Sequence, residues 1–367
     1  MRSHSFSARA SAQTVLLAIA ALALPVAAQE QAERDAVQLV DGKAVTGLIQ
    51  SEDFGGLSIK VQGKVEVYAW DQVRSTTYRD AERLVQAEQD FDAGNLDAAE
   101  QGLQQVVDGS KGRPVVRQHA LYVLALLKER ERDAAGAAAA WHKLVEDYPR
   151  GRHLGTAATA LVNLRVIARD FDGAAKELAQ FTPRATDVPE LKPRLALLKA
   201  ELLEAQARLA DAIADFEALG AAAGIGASLK AEAELGKARC LVAQKKPADA
   251  EGLLRRIVEQ ALPSHIHSEG WNTLADVLLE QGRSNRDAEK LLEALFAYLR
   301  SSVLYGPLPG QPTREYERAL AGSARCFQLI AEVEKSEERR QLYQQRARER
   351  ADLLARDFPD SEFRSQP

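Results

Sequence analysis

Ala137-Ala-Ala-Ala-Trp141 and Ala250-Glu-Gly-Leu-Leu254 are two rungs of one ladder, each a small residue followed four positions later by a bulky apolar one. The pattern recurs at Ala99/Leu103, Ala174/Leu178, Ala212/Phe216 and Ala288/Leu292, so successive alanines stand 38, 37, 38, 38 and 38 residues apart. A spacing of four places both side chains on one helix face. A period near forty residues means stacked helix pairs, each burying its apolar face on the next, rather than one central core. Twelve or thirteen residues before each rung stands another small side chain: Ala87, Ala125, Val162, Ala200, Ala238 and Ala275. A polar turn such as Asp92-Ala-Gly-Asn95 lies between the two. Each unit therefore reads as helix A, turn, helix B, with the rung on helix B. Small residues let the helices approach, and the bulky one fills the groove against the next unit.

Beyond Leu292 the ladder stops. Tyr305-Gly-Pro-Leu-Pro-Gly-Gln-Pro312 cannot continue a helix, because its prolines lack the N–H donor and its glycines favour turns. An insertion is expected at about 303–313. Gly236-Lys-Ala-Arg-Cys240 and Gly322-Ser-Ala-Arg-Cys326 are similar enough to fill equivalent slots two units apart. Their separation of 86 exceeds two periods of 38 by 10, a surplus that this loop would absorb. A seventh pair follows, from about 314 to 356, and its last helix is charged enough to face water as a terminal cap.

The units resemble tetratricopeptide repeats. Trp271, Leu274, Ala275, Leu278 and Gly282, then Ala288, Leu292 and Leu295, match the family's helix A and helix B slots. Leu121, Leu124 and Ala125, then Ala137, Trp141, Leu144 and the closing Pro149, do the same in the second unit. The resemblance covers about three quarters of the chain. The longer repeat and the endings Asp147-Tyr-Pro149 and Asp357-Phe-Pro-Asp-Ser361 are similar to a branch of the family found in bacterial envelopes. The fold class expected is mainly α: an α-solenoid of about seven helix pairs over 79–363.

A different pattern precedes the helices. Val37–Val40, Val45–Ile49, Leu57–Val61, Val65–Trp70 and Arg74–Tyr78 alternate with period two and are joined by turns at Asp41-Gly42, Glu52–Gly56 and Gln62–Lys64. Short strands with such tight turns suggest a face buried by curling into a small barrel, and the order resembles Sm-like modules. Residues 29–78 are expected to form this β-barrel-like domain, either as a docking surface or as a cover for the first repeat.

At the start, Arg2 and Arg9 precede the apolar run Thr14–Ala28, which ends in Val26-Ala-Ala28. This reads as a signal peptide, residues 1–28, cut after Ala28. It is shorter than the roughly 20 residues a membrane span needs, so the mature chain is expected to be exported, periplasmic or secreted, without a span. Without Arg2 and Arg9, 46 basic residues face 53 acidic ones, a net charge of about −7. That balance disfavours nucleic acid as a partner. Cys240 and Cys326 lie a whole unit apart if their slots are equivalent, beyond the ~7 Å a disulfide spans, so two buried thiols are expected.

No motif calls for catalysis or a cofactor. His265-Ile-His267 lacks further ligands for a metal, and Gly224-Ile-Gly226 lacks the third glycine and the preceding strand of a dinucleotide loop. The reading is a non-catalytic scaffold that binds a protein or peptide. The alternative is a cell-wall or polysaccharide binder, or a structural part of an envelope assembly. By resemblance, the concave groove of such an array is lined by helix A. Carrying those slots over points to Tyr122, Asn163, Arg239, Asn272 and Arg325 as groove candidates, with His119, Leu126, Glu201 and Asp276 beside them. Arginine there suits a partner's carboxylate, and asparagine its backbone.

Overall fold

Seven antiparallel helix pairs follow a five-stranded sheet in the computed structural model, which describes residues 34–306 and 313–365. The signal segment and most of the Pro-rich insertion lie outside these residues. The pairs are α1 (Glu82–Ala93) with α2 (Leu96–Gly109), α3 (Pro114–Arg130) with α4 (Ala134–Asp147), and α5 (Leu154–Ile167) with α6 (Phe171–Phe181). A short helix, α7 (Arg184–Asp187), precedes α8 (Lys192–Ala205) with α9 (Leu209–Ala221) and α10 (Ala227–Ala243) with α11 (Pro247–Val258). Then come α12 (Ser264–Asn285) with α13 (Ala288–Leu304) and α14 (Arg314–Val333) with α15 (Glu337–Asp357). Each helix packs on its partner and on the next pair, so the units form a solenoid of stacked helix pairs.

The A-to-B turns explain why the units repeat so faithfully. Gly94, Arg132, Arg169, Ala207, Lys245 and Arg286 all have φ between 52° and 84°. The residue after each donates its N–H five residues back, as in Asp133 to Lys128 O and Lys246 to Leu241 O, both 2.9 Å. This closure satisfies carbonyls that the end of helix A leaves open. Five of the six left-handed residues carry a side chain, so each such turn holds some strain. Asp133, Asp170 and Asp287 then cap helix B by accepting backbone N–H bonds.

Five rungs sit where the sequence puts them. Ala99, Ala137, Ala174, Ala212 and Ala250 are fully buried, with Leu103, Trp141, Phe216 and Leu254 beside them. Leu178 is partly buried. The sixth rung is different: Ala288 is exposed, and the buried pair is Ala294/Tyr298, six residues later. The packing identifies it. A methyl group at Gly236 would overlap the Phe216 ring, and one at Gly322 would overlap the Tyr298 ring. The two Gly-x-Ala-Arg-Cys segments therefore do fill equivalent slots. The surplus of ten divides, however. Six residues lengthen the α12–α13 pair, so Ala250 and Ala294 are 44 apart, and four fall between Tyr298 and Gly322. Cys240 and Cys326 are free and buried, and burial pushes the Cys240 thiol up to about 12.

A second interruption was hidden by even spacing. Between α6 and α8 the chain forms α7 and a 3-10 turn, Pro189–Leu191. Pro183, Pro189 and Pro193 prevent a continuous helix B. Phe181, Ala185, Val188 and Leu191 nevertheless point into the core.

The strands are β1 (Asp35–Leu39), β2 (Ala44–Asp53), β3 (Gly56–Val61), β4 (Lys64–Tyr68) and β5 (Val73–Thr77). They form an antiparallel sheet in the order β4-β3-β2-β1-β5. The sheet is open, which corrects the Sm-like barrel expectation: β4 pairs with β3, β5 pairs with β1, and the two edges do not join. The physical reason is that helices supply the cover a barrel would have to make for itself. Val37, Leu39, Ile49, Leu57 and Ile59 share one core with the first three helix pairs. A register slip between Ile49 and Ser51 bends β2, so that its two halves serve β1 and β3.

Polar bonds lock the sheet to the array. Asp35 is fully buried and accepts from Ile49 N (2.7 Å), Arg79 N (2.9 Å) and the Arg113 guanidinium (2.7 Å). Phe54 N donates to Arg150 O at 2.7 Å, Arg152 N to Glu52 O at 3.0 Å, and Gln118 Nε2 to the same oxygen at 3.0 Å. Arg152 lies 4.0 Å over the Trp70 ring. Among the described residues, no helix is long and apolar enough to cross a membrane.

Candidate interaction groove

Curvature comes from unequal spacing. Consecutive A helices pack on one another along most of the array, whereas B helices meet mainly their own partner and the next A helix. The closer A side is the inner, concave face. That packing thins at one place, between α3 and α5. Trp141, the largest of the rung side chains, is buried at this point.

A cleft of about 580 Å³ opens there. Leu126, Trp141, Ala160, Leu164 and Ile167 give it an apolar lining, and Glu129, Arg132, Thr159 and Asn163 stand among them. Ile167 is 81% exposed at its end. The Trp141 indole N–H donates to Glu129 Oε1 at 2.7 Å, which fixes the indole and points the carboxylate at the cleft wall. Burial raises the Glu129 carboxyl, and that bond opposes the rise. Leu126 and Asn163 thus both line an accessible recess.

Tyr122 and His119 lie just outside it, under the sheet. The Tyr122 ring stacks on His153 with centroids 3.8 Å apart and meets Trp141 edge-on at 5.9 Å. His119 bonds Glu88 at 2.7 Å and lies 5.9 Å from Tyr78, whose hydroxyl donates to Glu52 at 2.9 Å. Burial, with the nearby His119 and Arg152 charges, lowers His153 to about 2 and keeps it neutral. His153, Glu52 and Tyr78 escape a reading by repeat slots, since they belong to a loop and to the sheet.

The remaining candidates lie farther along and are already engaged. Arg239 on α10 forms a fork with Glu204 on α8 (2.8 and 2.7 Å) and also pairs with Glu269 on α12. Burial alone would lower its pKa, but Glu269 and Glu204 more than offset this and raise it. Arg194 grips Glu232 at 2.5 and 3.3 Å. Asn272 is fully buried, and its amide donates to Glu315 O (2.7 Å) and Oε2 (2.8 Å), leaving Oδ1 without a partner. Asp276 accepts from Tyr298 and Arg318. Arg239 and Asn272 therefore tie one A helix to the next, and no free guanidinium awaits a partner's carboxylate at Arg239. Arg325 is partly buried and makes no hydrogen bond or ion pair among the described residues. His267 stacks on Tyr305 at 4.8 Å and accepts from Leu262 N at 3.3 Å.

Fold and cleft together define a helical-repeat protein of stacked antiparallel helix pairs with an appended sheet. No protein-family model matches the chain, and no curated protein matches it. Three solved structures are similar to parts of it. PilW, a widely conserved type IV pilus biogenesis factor, is 18% identical over 67% of this chain and 96% of its own, with a TM-score of 0.40. PilF of Pseudomonas aeruginosa is 16% identical over 67% and 94%, with a TM-score of 0.40. BtubC (BKLC) from P. vanneervenii is 16% identical over 64% and 92%, with a TM-score of 0.44.

Proposed function

We propose that this is an exported, non-catalytic scaffold that captures an extended segment of a protein partner on its concave face. Export rests on the N-terminal leader. The binding reading rests on one observation, the apolar cleft where α3 and α5 part above Trp141. A recess of about 580 Å³ lined by Leu126, Leu164 and Ile167 gains free energy by burying a partner's apolar side chain, at roughly 25 cal/mol per Å² removed from water. Asn163 and Thr159 at its side offer hydrogen bonds to a backbone in extended conformation.

Photocrosslinking in cells tests this. A photoreactive residue at Asn163 is expected to yield a discrete protein adduct, and Leu164→Glu in the same chain to abolish it. A probe at Lys176, exposed on helix B of the third pair, is expected to give none. Equal adducts at both positions, or adducts indifferent to Leu164→Glu, refute the cleft.

A further inference from the structure

Helix α13 breaks the surface pattern of the other B helices. Ala250 and Ala294 fill equivalent slots, and two, five and nine residues after Ala250 stand Gly252, Arg255 and Glu259. After Ala212 on α9 the same positions hold Ala214, Glu217 and Ala221. After Ala294 they hold Phe296, Leu299 and Val303, with Leu292 just before. Phe296 is 60% exposed and Val303 71%, while Leu292 and Leu299 are partly buried beside them. Spacings of four, three and four residues make these side chains the apolar seam of a coiled coil. The seam stands clear of Leu291, Ala294 and Tyr298, which face the core. Two charges flank it on one side, Glu293 following Leu292 and Arg300 following Leu299. Glu293 pairs with Arg255 at 2.7 Å and Lys290 at 3.3 Å. The Arg300 guanidinium lies 4.7 Å over the Trp271 ring and has no carboxylate partner among the described residues.

We infer that α13 is a self-association face, on which the same helix of a second copy packs antiparallel about a two-fold axis between Phe296 and Leu299. Leu292 meets Val303 across the axis, and Phe296 meets Leu299. The charges choose this orientation. Antiparallel packing sets Glu293 of each copy against Arg300 of the other, and gives the guanidinium the carboxylate it lacks. Parallel packing would set both charges toward the other flank of the seam, where Leu295 and Ser302 are buried in their own array. A surface that complements itself across a two-fold axis is the isologous interface of a homodimer. Three turns of helix are a small contact beside the roughly 1,200–2,000 Å² of a stable interface, so the pairing is weak and depends on concentration. It uses a B helix, on the convex side, and does not depend on what the concave cleft binds. Both clefts of a dimer stay open, which favours a partner that carries the recognised segment twice.

Sedimentation equilibrium of the full chain at low salt, over about 5–200 µM, tests this pairing. A monomer–dimer equilibrium is expected. Phe296→Ser should weaken it about tenfold or more. Arg300→Glu should weaken it about as much, because it opposes two carboxylates across the axis. Adding Glu293→Arg to Arg300→Glu should restore it to within about threefold of wild type. Ile167→Ser, in the concave cleft, should leave it unchanged. Far-UV circular dichroism and melting confirm that each variant is folded. A chain that stays monomeric throughout, or a dimer indifferent to Phe296→Ser, overturns the proposal. A double variant no better than Arg300→Glu refutes the antiparallel register, and a dimer lost with Ile167→Ser instead moves self-association to the cleft. In cells, a photoreactive residue at Val303 should join two copies of the chain. An adduct there with a different protein alone overturns self-pairing and gives this face to that protein.

Discussion

Replacing Glu201 with glutamine should make the array more stable at pH 8 and flatten its pH dependence. Burial is the chief reason that the carboxyl rises from the ordinary 4.5 to about 7; Arg239 opposes the rise, and Glu269, Glu204 and Glu232 add to it. The folded chain therefore holds this proton more tightly than the unfolded chain does. Below about pH 4.5 both states are protonated and the contribution to stability is complete. As pH rises the unfolded chain loses its proton first, so stability falls until the folded group also ionises near pH 7. At ~1.4 kcal/mol per pH unit, that interval has a ceiling of about 3 kcal/mol. The side chain is only half-buried, and solvent screening lowers the figure to about 1–2 kcal/mol. Urea unfolding of wild type and Glu201→Gln at several pH values isolates this term, because every other titrating group cancels in the difference. The variant should gain about 1–2 kcal/mol at pH 8 and little at pH 4.5. A constant difference between the two chains across that range would show that Glu201 does not titrate where its surroundings place it.

Other consequences follow from packing and backbone geometry. Gly322→Ala and Gly236→Ala should each cost about 1–3 kcal/mol in urea melts through overpacking against Tyr298 and Phe216. Ala288→Ser should be nearly neutral, whereas Ala294→Leu should destabilise by a similar 1–3 kcal/mol or more, and the reverse order would restore the evenly spaced ladder. Asp35→Ala leaves Arg113 without its buried partner and should cost about 3–5 kcal/mol, read by melting and by faster amide exchange in β1 and β2. Lys245→Gly relieves a left-handed, exposed turn residue and should raise stability by about 0.5–1 kcal/mol; a loss instead would show that its side chain contributes.

The helix pairs were legible because burial on helix B recurs with the period of the fold itself, and each turn from helix A to helix B is polar and short. The sixth rung was not. Ala288/Leu292 and Ala294/Tyr298 both obey the four-residue rule, even spacing favours the first, and only Gly322 under the Tyr298 ring decides for the second. The five strands were likewise visible in their alternation, but period two cannot say whether a sheet closes on itself or leans on helices. Among groove candidates, slot arithmetic picked out Asn163, Leu126, Arg239 and Asn272 as helix A positions. It could not find their state, because Arg239 meets Glu204 and Glu269 at separations of 35 and 30 residues, and Asn272 meets Glu315 at 43. The cleft was invisible for a similar reason: it lies where two consecutive A helices make few contacts, and no local pattern encodes that spacing.

The sheet's anchoring has a consequence for the order in which the chain assembles. Asp35 is satisfied by Arg113, 78 residues later, and Glu52 by Gln118, 66 residues later. Strands that emerge early from a ribosome or a translocation pore thus have no cover until two helix pairs have followed them. Contacts so distant in sequence pay their loop-closure entropy before any reward arrives, and they set slow steps. The helix pairs, each closed by its own turn, zip locally and quickly. The sheet is therefore made before the helices that lock it, and chaperones acting on the nascent chain would meet it bare, with Val65 and Val67 on an open edge.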